Sequence, residues 1–431
     1  MRYTILDIDR KFCHMNNEFA RKSSLLPVYL VFFVDNFGFS LVFALFAPLL
    51  LGSQYQMFSS DIAVSTKNFL IGLLFAVFPF AQFFGAPFIG DLADHYGRKK
   101  AFYITLTGSV ISYVLSAFSV ISHSVVLLII SRLLSGFCAG NLGICLAAIA
   151  DLSPTEKSRG KQYSYIAMTA GISWVISIVV GGYLSDSSLS EFFSPSLPFF
   201  ISALLCLAAL ISIIFFFNET RATKEQAIEF HFFRGCKNIL TSFKIIELRA
   251  LYVIYLIWII GWGTVIQWFT PFSIEKFGVA QEEIVWMLVL FGLSWSFGGV
   301  LINTIFLRKI GSKQISVICL SVTTILIWLC AILYQYQIFS VAFIVSAAFG
   351  GVVMSNLLNL ISLSAPYHMQ GKVMGLSQST IAVGWIVGPL LSGVIADLNI
   401  NTIYYFAAGA IVISLVLLVI HNYRHAQKRR V

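Results

Sequence analysis

Charge is what this chain has least of. Asp, Glu, Lys and Arg make up 11% of its 431 residues, against 58% apolar and 15% aromatic. A soluble domain carries about 25% charged residues, so this chain cannot coat a water-exposed surface of its own size. Acid is scarcer than base, at 19 carboxylates to 28 Lys and Arg. Proline is sparse too, ten in all, which leaves long apolar runs free to be helical. The seven cysteines form no C-x-x-C and none has metal-ligand spacing with a histidine. Neither a disulfide framework nor a metal site is expected, and the thiols read as packing residues. The only Gly-Lys pairs stand in GKQ and GKV, so there is no Walker loop and no nucleotide-driven pump. All seven histidines fall outside the centres of the apolar runs, which leaves an intramembrane hydrolase without a base. The chain reads as no enzyme and as needing no cofactor.

What is present is hydrocarbon length. Crossing about 30 Å of bilayer takes about 20 apolar residues, and twelve stretches qualify. They lie near 25–51, 68–89, 101–121, 124–150, 162–183, 197–217, 249–271, 284–306, 314–333, 338–362, 372–395 and 402–421. The fold class is therefore an all-α membrane protein of twelve transmembrane helices. With both termini in the cytosol, 25 of the 28 Lys and Arg fall on the cytosolic side. That is the positive-inside bias of a multi-pass protein of the cell (inner) membrane, so the net charge of +9 orients the chain and recruits no nucleic acid. The run from Leu25 is too long for a signal-peptide core, and no cleavage is expected.

The chain also repeats. Its longest hydrophilic stretch, from Asn218 to Arg249, separates six runs from six. Setting Gly160 against Gly371 aligns Lys161 with Lys372, Thr169 with Thr380, Trp174 with Trp385, Gly182 with Gly393 and Asp186 with Asp397, without a gap. Run five thereby meets run eleven, as a six-plus-six duplication requires. The expected layout is an N-terminal bundle over 1–217, a cytosolic central loop over 218–248 and a C-terminal bundle over 249–431. The two bundles should be pseudo-symmetric, with a substrate site at their interface near the midplane.

GDLADHYGRKK, residues 90–100, joins the second and third runs. It resembles the loop signature of the major facilitator superfamily. VDNFGFSLVFALFAPLL, AQFFGAPFIGDLADHYGR, SRLLSGFCAG and ADLSPTEKSRG are similar to the first helix, the second helix and its loop, the fourth-helix arginine motif and the following loop of the twelve-helix drug:proton antiporters, tetracycline exporters included. The resemblance implies a cytosolic gate of Gly90, Asp91, Asp94, Gly97, Arg98 and Asp151 that latches the halves together on the cytosolic side. The alternative is that Arg98, Lys99 and Lys100 only hold the loop inside. His95 stands where an arginine is common. Run five departs from the antiporter pattern of glycines, carrying Ser164, Ser173, Ser177 and Ile178 before Gly181 and Gly182, whereas run eleven keeps Gly375, Gly384, Gly388 and Pro389.

Among the acids only Asp35 lies deep in a run, about 15 Å from the cytosolic surface at 1.5 Å per residue. An unpaired carboxylate at mid-bilayer costs roughly 2.5–3.5 kcal/mol on insertion scales, so it should face water or a cation. Arg132 is the one cation at matching depth, and Gly136, Gly140 and Gly143 share its helix face, a stripe that admits a neighbouring backbone. Asp35 and Arg132 are the expected proton-coupling pair; a buried structural ion pair is the alternative. Asn36, Gln82, Asn141, Trp262, Gln267, Asn356, Asn359 and Gln378 either line a substrate cavity, with Trp268 and Trp385, or act as inter-helical glue. The reading is a monomeric, proton-coupled secondary transporter, partnered by lipid, protons and a small organic substrate, that exports by antiport. An importing symporter of a metabolite or siderophore, or a transporter-fold sensor without flux, is the alternative.

Overall fold

The computed structural model describes residues 24–51, 57, 63–153, 156–220, 246–364, 370–396 and 399–428. Twelve helical segments follow one another: α1 Ser24–Phe46, α2 Val64–Tyr96, α3 Arg98–Ile121, α4 Val125–Leu152, α5 Glu156–Tyr183, α6 Leu197–Phe216, α7 Ile246–Gln267, α8 Gln281–Leu307, α9 Ser312–Ile332, α10 Tyr336–Leu363, α11 Gln370–Ile395 and α12 Ile400–Lys428. Eleven are long and apolar enough to cross a membrane, and α5 contributes a shorter apolar stretch, Met168–Tyr183. We refer to the face where α1 begins and α12 ends as the terminal face, and to the opposite one as the distal face. Asp397, Cys13, Cys236 and residues 221–245 of the central loop lie outside the described residues.

The helix ends follow from local sequence. Gly97 takes φ 93°, a conformation costly for any residue with a Cβ, and so turns α2 sharply into α3. His123 at φ 52° makes the distal turn from α3 to α4, and Ser124 then caps α4 by accepting from the Leu127 N–H at 3.3 Å. Past Trp268, α7 continues as a short helix, Phe269–Phe277, that stops at Gly278 with φ 63°. Two helices are irregular in mid-span. Between Cys138 and Asn141, α4 breaks at Ala139 and Gly140, and α8 carries a π-turn over Gly298–Ile302.

Packing repeats as the sequence does. In the first half α2 packs on α4, α3 on α4 and α6, and α1 on α5; in the second, α8 packs on α10, α9 on α10 and α12, and α7 on α11. The match extends to single atoms. A Cβ on Gly85 would overlap the Phe137 carbonyl, and one on Gly298 would overlap the Ala348 carbonyl. Between the halves, α2 packs on α11 and α5 on α8, again symmetry mates. At the distal end of those two seams a Cβ on Gly393 would stand 3.5 Å from the Gly72 Cα, and one on Gly182 would run into Val285. Further distal ties are Thr270 Oγ1 donating to the Phe43 carbonyl at 2.7 Å and Gln281 Nε2 donating to both the Gly182 carbonyl and Ser185 Oγ at 2.8 Å. Large apolar side chains such as Leu204, Phe215, Leu293 and Val300 stay exposed, the pattern of a hydrocarbon-facing surface.

Candidate functional site

The interior of the first half is organised by the break in α4. Leaving the helix at Ala139 and Gly140 frees a backbone carbonyl before the break and a backbone N–H after it, and both need partners in a bilayer. Gln82 Nε2 donates to the Ala139 carbonyl at 2.6 Å. On the other side the Asn141 N–H donates to Asp35 Oδ2 at 3.3 Å, and Asn141 Nδ2 donates to Asp35 Oδ1 at 2.9 Å. Asp35, half-buried on α1, thus caps the helix Asn141–Leu152 from outside, with its charge at the positive end of the helix dipole. Asn141 is buried, and its Oδ1 accepts from Thr105 Oγ1 at 2.7 Å, so its orientation is fixed by α3. Gly140 lets α2 come close at the break, since a Cβ there would meet the Ala86 Cα at 2.9 Å.

Arg132 is elsewhere. Among the described residues no ion pair joins it to Asp35. Its Nη1 donates to the Gly38 carbonyl at 3.4 Å, and its guanidinium carbon lies 4.6 Å from the Phe78 ring centre and 5.7 Å from that of Phe46. The residue is 1% exposed, a buried cation held by aromatic faces one helical turn along α1 from Asp35. The glycine stripe splits as well: a Cβ on Gly136 would overlap the Phe78 carbonyl, whereas one on Gly143 would meet nothing within 4 Å.

Other residues separate into groups. At the terminal end of the first half Arg98 Nη1 donates to Asp94 Oδ1 at 2.8 Å, and its Nε lies 3.7 Å from Asp151 Oδ2. Arg98 is buried while Asp94 is exposed. Asp91 and Gly90 lie a turn back on α2, and Gly90 has open space beyond it, so close approach is not its role. In the second half Asn356 Nδ2 donates to Asn303 Oδ1 at 2.6 Å and Asn359 Nδ2 to Ser312 Oγ at 2.8 Å. These contacts tie α10 to α8 and α9. Gln378 is exposed, Gln267 buried, and Asn36 Nδ2 donates back to the Phe32 carbonyl of its own helix. Trp262 is buried in a stack, 6.1 Å from Trp258 and 5.1 Å from Trp295. Trp268 Nε1 donates to Ser392 Oγ at 2.7 Å, and Trp385 reaches across the halves to Phe39, 5.5 Å away. The serines that replace glycine on α5 bond to α1: Ser173 Oγ donates to the Phe33 carbonyl at 2.7 Å, and Ser177 Oγ lies 2.5 Å from Ser40 Oγ.

The symmetry exposes a specialisation. Matching Gly85 with Gly298 on α2 and α8 sets Phe78 against Phe291, and matching the carbonyls they face, Phe137 and Ala348 on α4 and α10, sets Arg132 against Phe343. Phe78 carries the Arg132 guanidinium on its face; Phe291 carries the Phe343 ring at 4.6 Å. The second half fills with stacked rings the place where the first half keeps charge. Thr105, Gly38 and the α4 break were not legible as site elements in the sequence.

The profile of the Major Facilitator Superfamily matches residues 28–325 and 251–430. The tetracycline resistance protein, class B, of Escherichia coli is 25% identical over 376 residues, 86% of this chain and 88% of that one. Multidrug resistance protein 2 of Bacillus subtilis is 24% identical over 80% of this chain and 84% of its own. Among solved structures the D-xylose-proton symporter superposes with a TM-score of 0.74 at 15% identity, covering 92% of this chain and 96% of that one. The human organic anion transporter MFSD10 does so with 0.66 at 20% identity, covering 92% and 99%. With twelve helices packed as two matching bundles and the family profile spanning almost all of it, this chain belongs to the major facilitator superfamily.

Proposed function

We propose that the protein is a proton-coupled exporter of a small organic molecule, working by alternating access with both termini in the cytosol. The observation that carries the coupling is the placement of Asp35. It is a carboxylate at mid-span depth, half-buried, whose partners are both donated by one residue, Asn141. A carboxylate that gains a proton stops accepting at one oxygen and becomes a donor there. Protonation of Asp35 therefore costs the bidentate contact one of its two hydrogen bonds and loosens α1 against the second segment of α4. Proton loading and helix movement become one event. Arg132 keeps a fixed positive charge one turn away, and the Asp94, Arg98 and Asp151 cluster forms the terminal-face gate. The resistance proteins among its relatives support outward drug or metabolite transport.

The test is purified protein in sealed vesicles with a pH-sensitive dye inside. Tetracyclines, quinolones and metabolite mixtures are added in turn to one side with no pH difference imposed. In proton antiport, substrate entering the lumen drives protons out, so the lumenal pH rises. Substrate uptake with no pH change would contradict coupling, and a fall in lumenal pH as substrate enters would make the protein a symporter.

A further inference from the structure

Immediately after α6, where the chain leaves the first bundle for the second, Glu219 reaches back to the gate. One carboxylate oxygen accepts the Arg98 N–H and the other the Lys99 N–H, each at 2.9 Å. Those are the first two backbone donors of α3, which the helix itself cannot satisfy. The seat is shaped for the group: a Cβ on Gly97 would overlap the Glu219 carboxylate, so the glycine that makes the turn also makes room for the acid. The next residue repeats the tie, with Thr220 Oγ1 donating to Asp151 Oδ2 at 3.1 Å. Residues 219 and 220 therefore hold both the backbone of Arg98 and one of the acids that its guanidinium faces.

We propose that Glu219 is a positioning residue of the terminal-face gate, the tether by which the segment joining the bundles sets where Arg98 stands. The proposal rests on the gate reading above. A carboxylate on two N–H groups at a helix N-terminus fixes the first turn, and Arg98 projects from that turn. Displacement of the linker as the bundles rock is passed through this carboxylate to the Arg98 cluster, and loss of the tether leaves the gate present but misplaced.

The test needs no substrate. Spin labels on Leu26→Cys of α1 and Leu363→Cys of α10, two exposed terminal-face positions in opposite halves, report in a cysteine-free background whether that face is parted or closed. Glu219→Gln keeps the shape but presents one acceptor and one donor to two donors. It is expected to shift the ratio toward the parted state about fivefold, the scale of a lost helix cap. Arg98→Ala is expected to shift it the same way, and the double variant no further. A wild-type ratio for Glu219→Gln beside a shifted Arg98→Ala overturns the role of Glu219 and leaves the gate standing. An unshifted Arg98→Ala overturns the gate and the tether with it. Additive shifts overturn the tether, because the two residues would then act independently. If Glu219→Gln does not fold, Thr220→Val reads the same ratio, with a shift to the parted state expected and no shift contradicting the proposal.

Discussion

Asn141, not Arg132, is what Asp35 holds, and the difference shows how far a sequence reaches in a membrane. Helical rise fixes depth to a few ångströms, so the chain could place Asp35 and Arg132 at one level. Depth says nothing about which way each helix faces its neighbours, and the azimuth sends the guanidinium to Phe78 and Phe46. Two predictions belong at this scale. Asn141→Ala deletes one of the two donors to Asp35 and leaves Thr105 Oγ1 only the Phe102 carbonyl to donate to. A loss of about 1–3 kcal/mol is expected, read as a lowered thermal unfolding midpoint in detergent. Arg132→Lys keeps the charge but not the planar group that lies on a ring while donating to Gly38. It is expected to lose most transport, with folding checked by gel filtration; wild-type flux would show that charge alone suffices there.

At the level of elements, apolar runs revealed all twelve helices. What stayed hidden is irregularity. Gly140 reads in sequence as one member of a small-residue stripe, but in the fold it is a break that opens the Ala139 carbonyl and the Asn141 N–H. No local signal separates the two, because the break is stabilised by Gln82 and Asp35 from other helices. Glycines of one stripe consequently differ in cost. Gly136→Val and Gly85→Val drive a side chain into a facing carbonyl and should cost about 1–3 kcal/mol or more. Gly143→Val and Gly90→Ala, with open space beyond the Cα, should stay near about 1 kcal/mol or below, the helix-propensity scale. Thermal midpoints of the four variants compare the two classes directly.

For the whole molecule, duplication sets the architecture and divergence sets the chemistry. The same seams recur in both halves, down to the carbonyl against Gly85 and Gly298, yet at the matched position the first half sets the Arg132 guanidinium on Phe78 and the second sets the Phe343 ring on Phe291. Orientation is tested with single cysteines in a cysteine-free background. Tyr334→Cys, exposed at the distal face, should react with an impermeant maleimide in intact cells, while Leu363→Cys, exposed at the terminal face, should react only after lysis. The reverse pattern would invert the topology.

Asp35→Asn tests proton coupling at Asp35 without changing the shape of the side chain. Vesicles carrying the wild type and the variant are given a substrate identified by the dye assay, first at equal pH with labelled substrate for exchange, then with a pH difference imposed. Asp35→Asn is expected to exchange substrate at a rate near that of the wild type but to accumulate none against its gradient. Uphill accumulation by Asp35→Asn under the imposed pH difference would mean that Asp35 does not couple protons to transport.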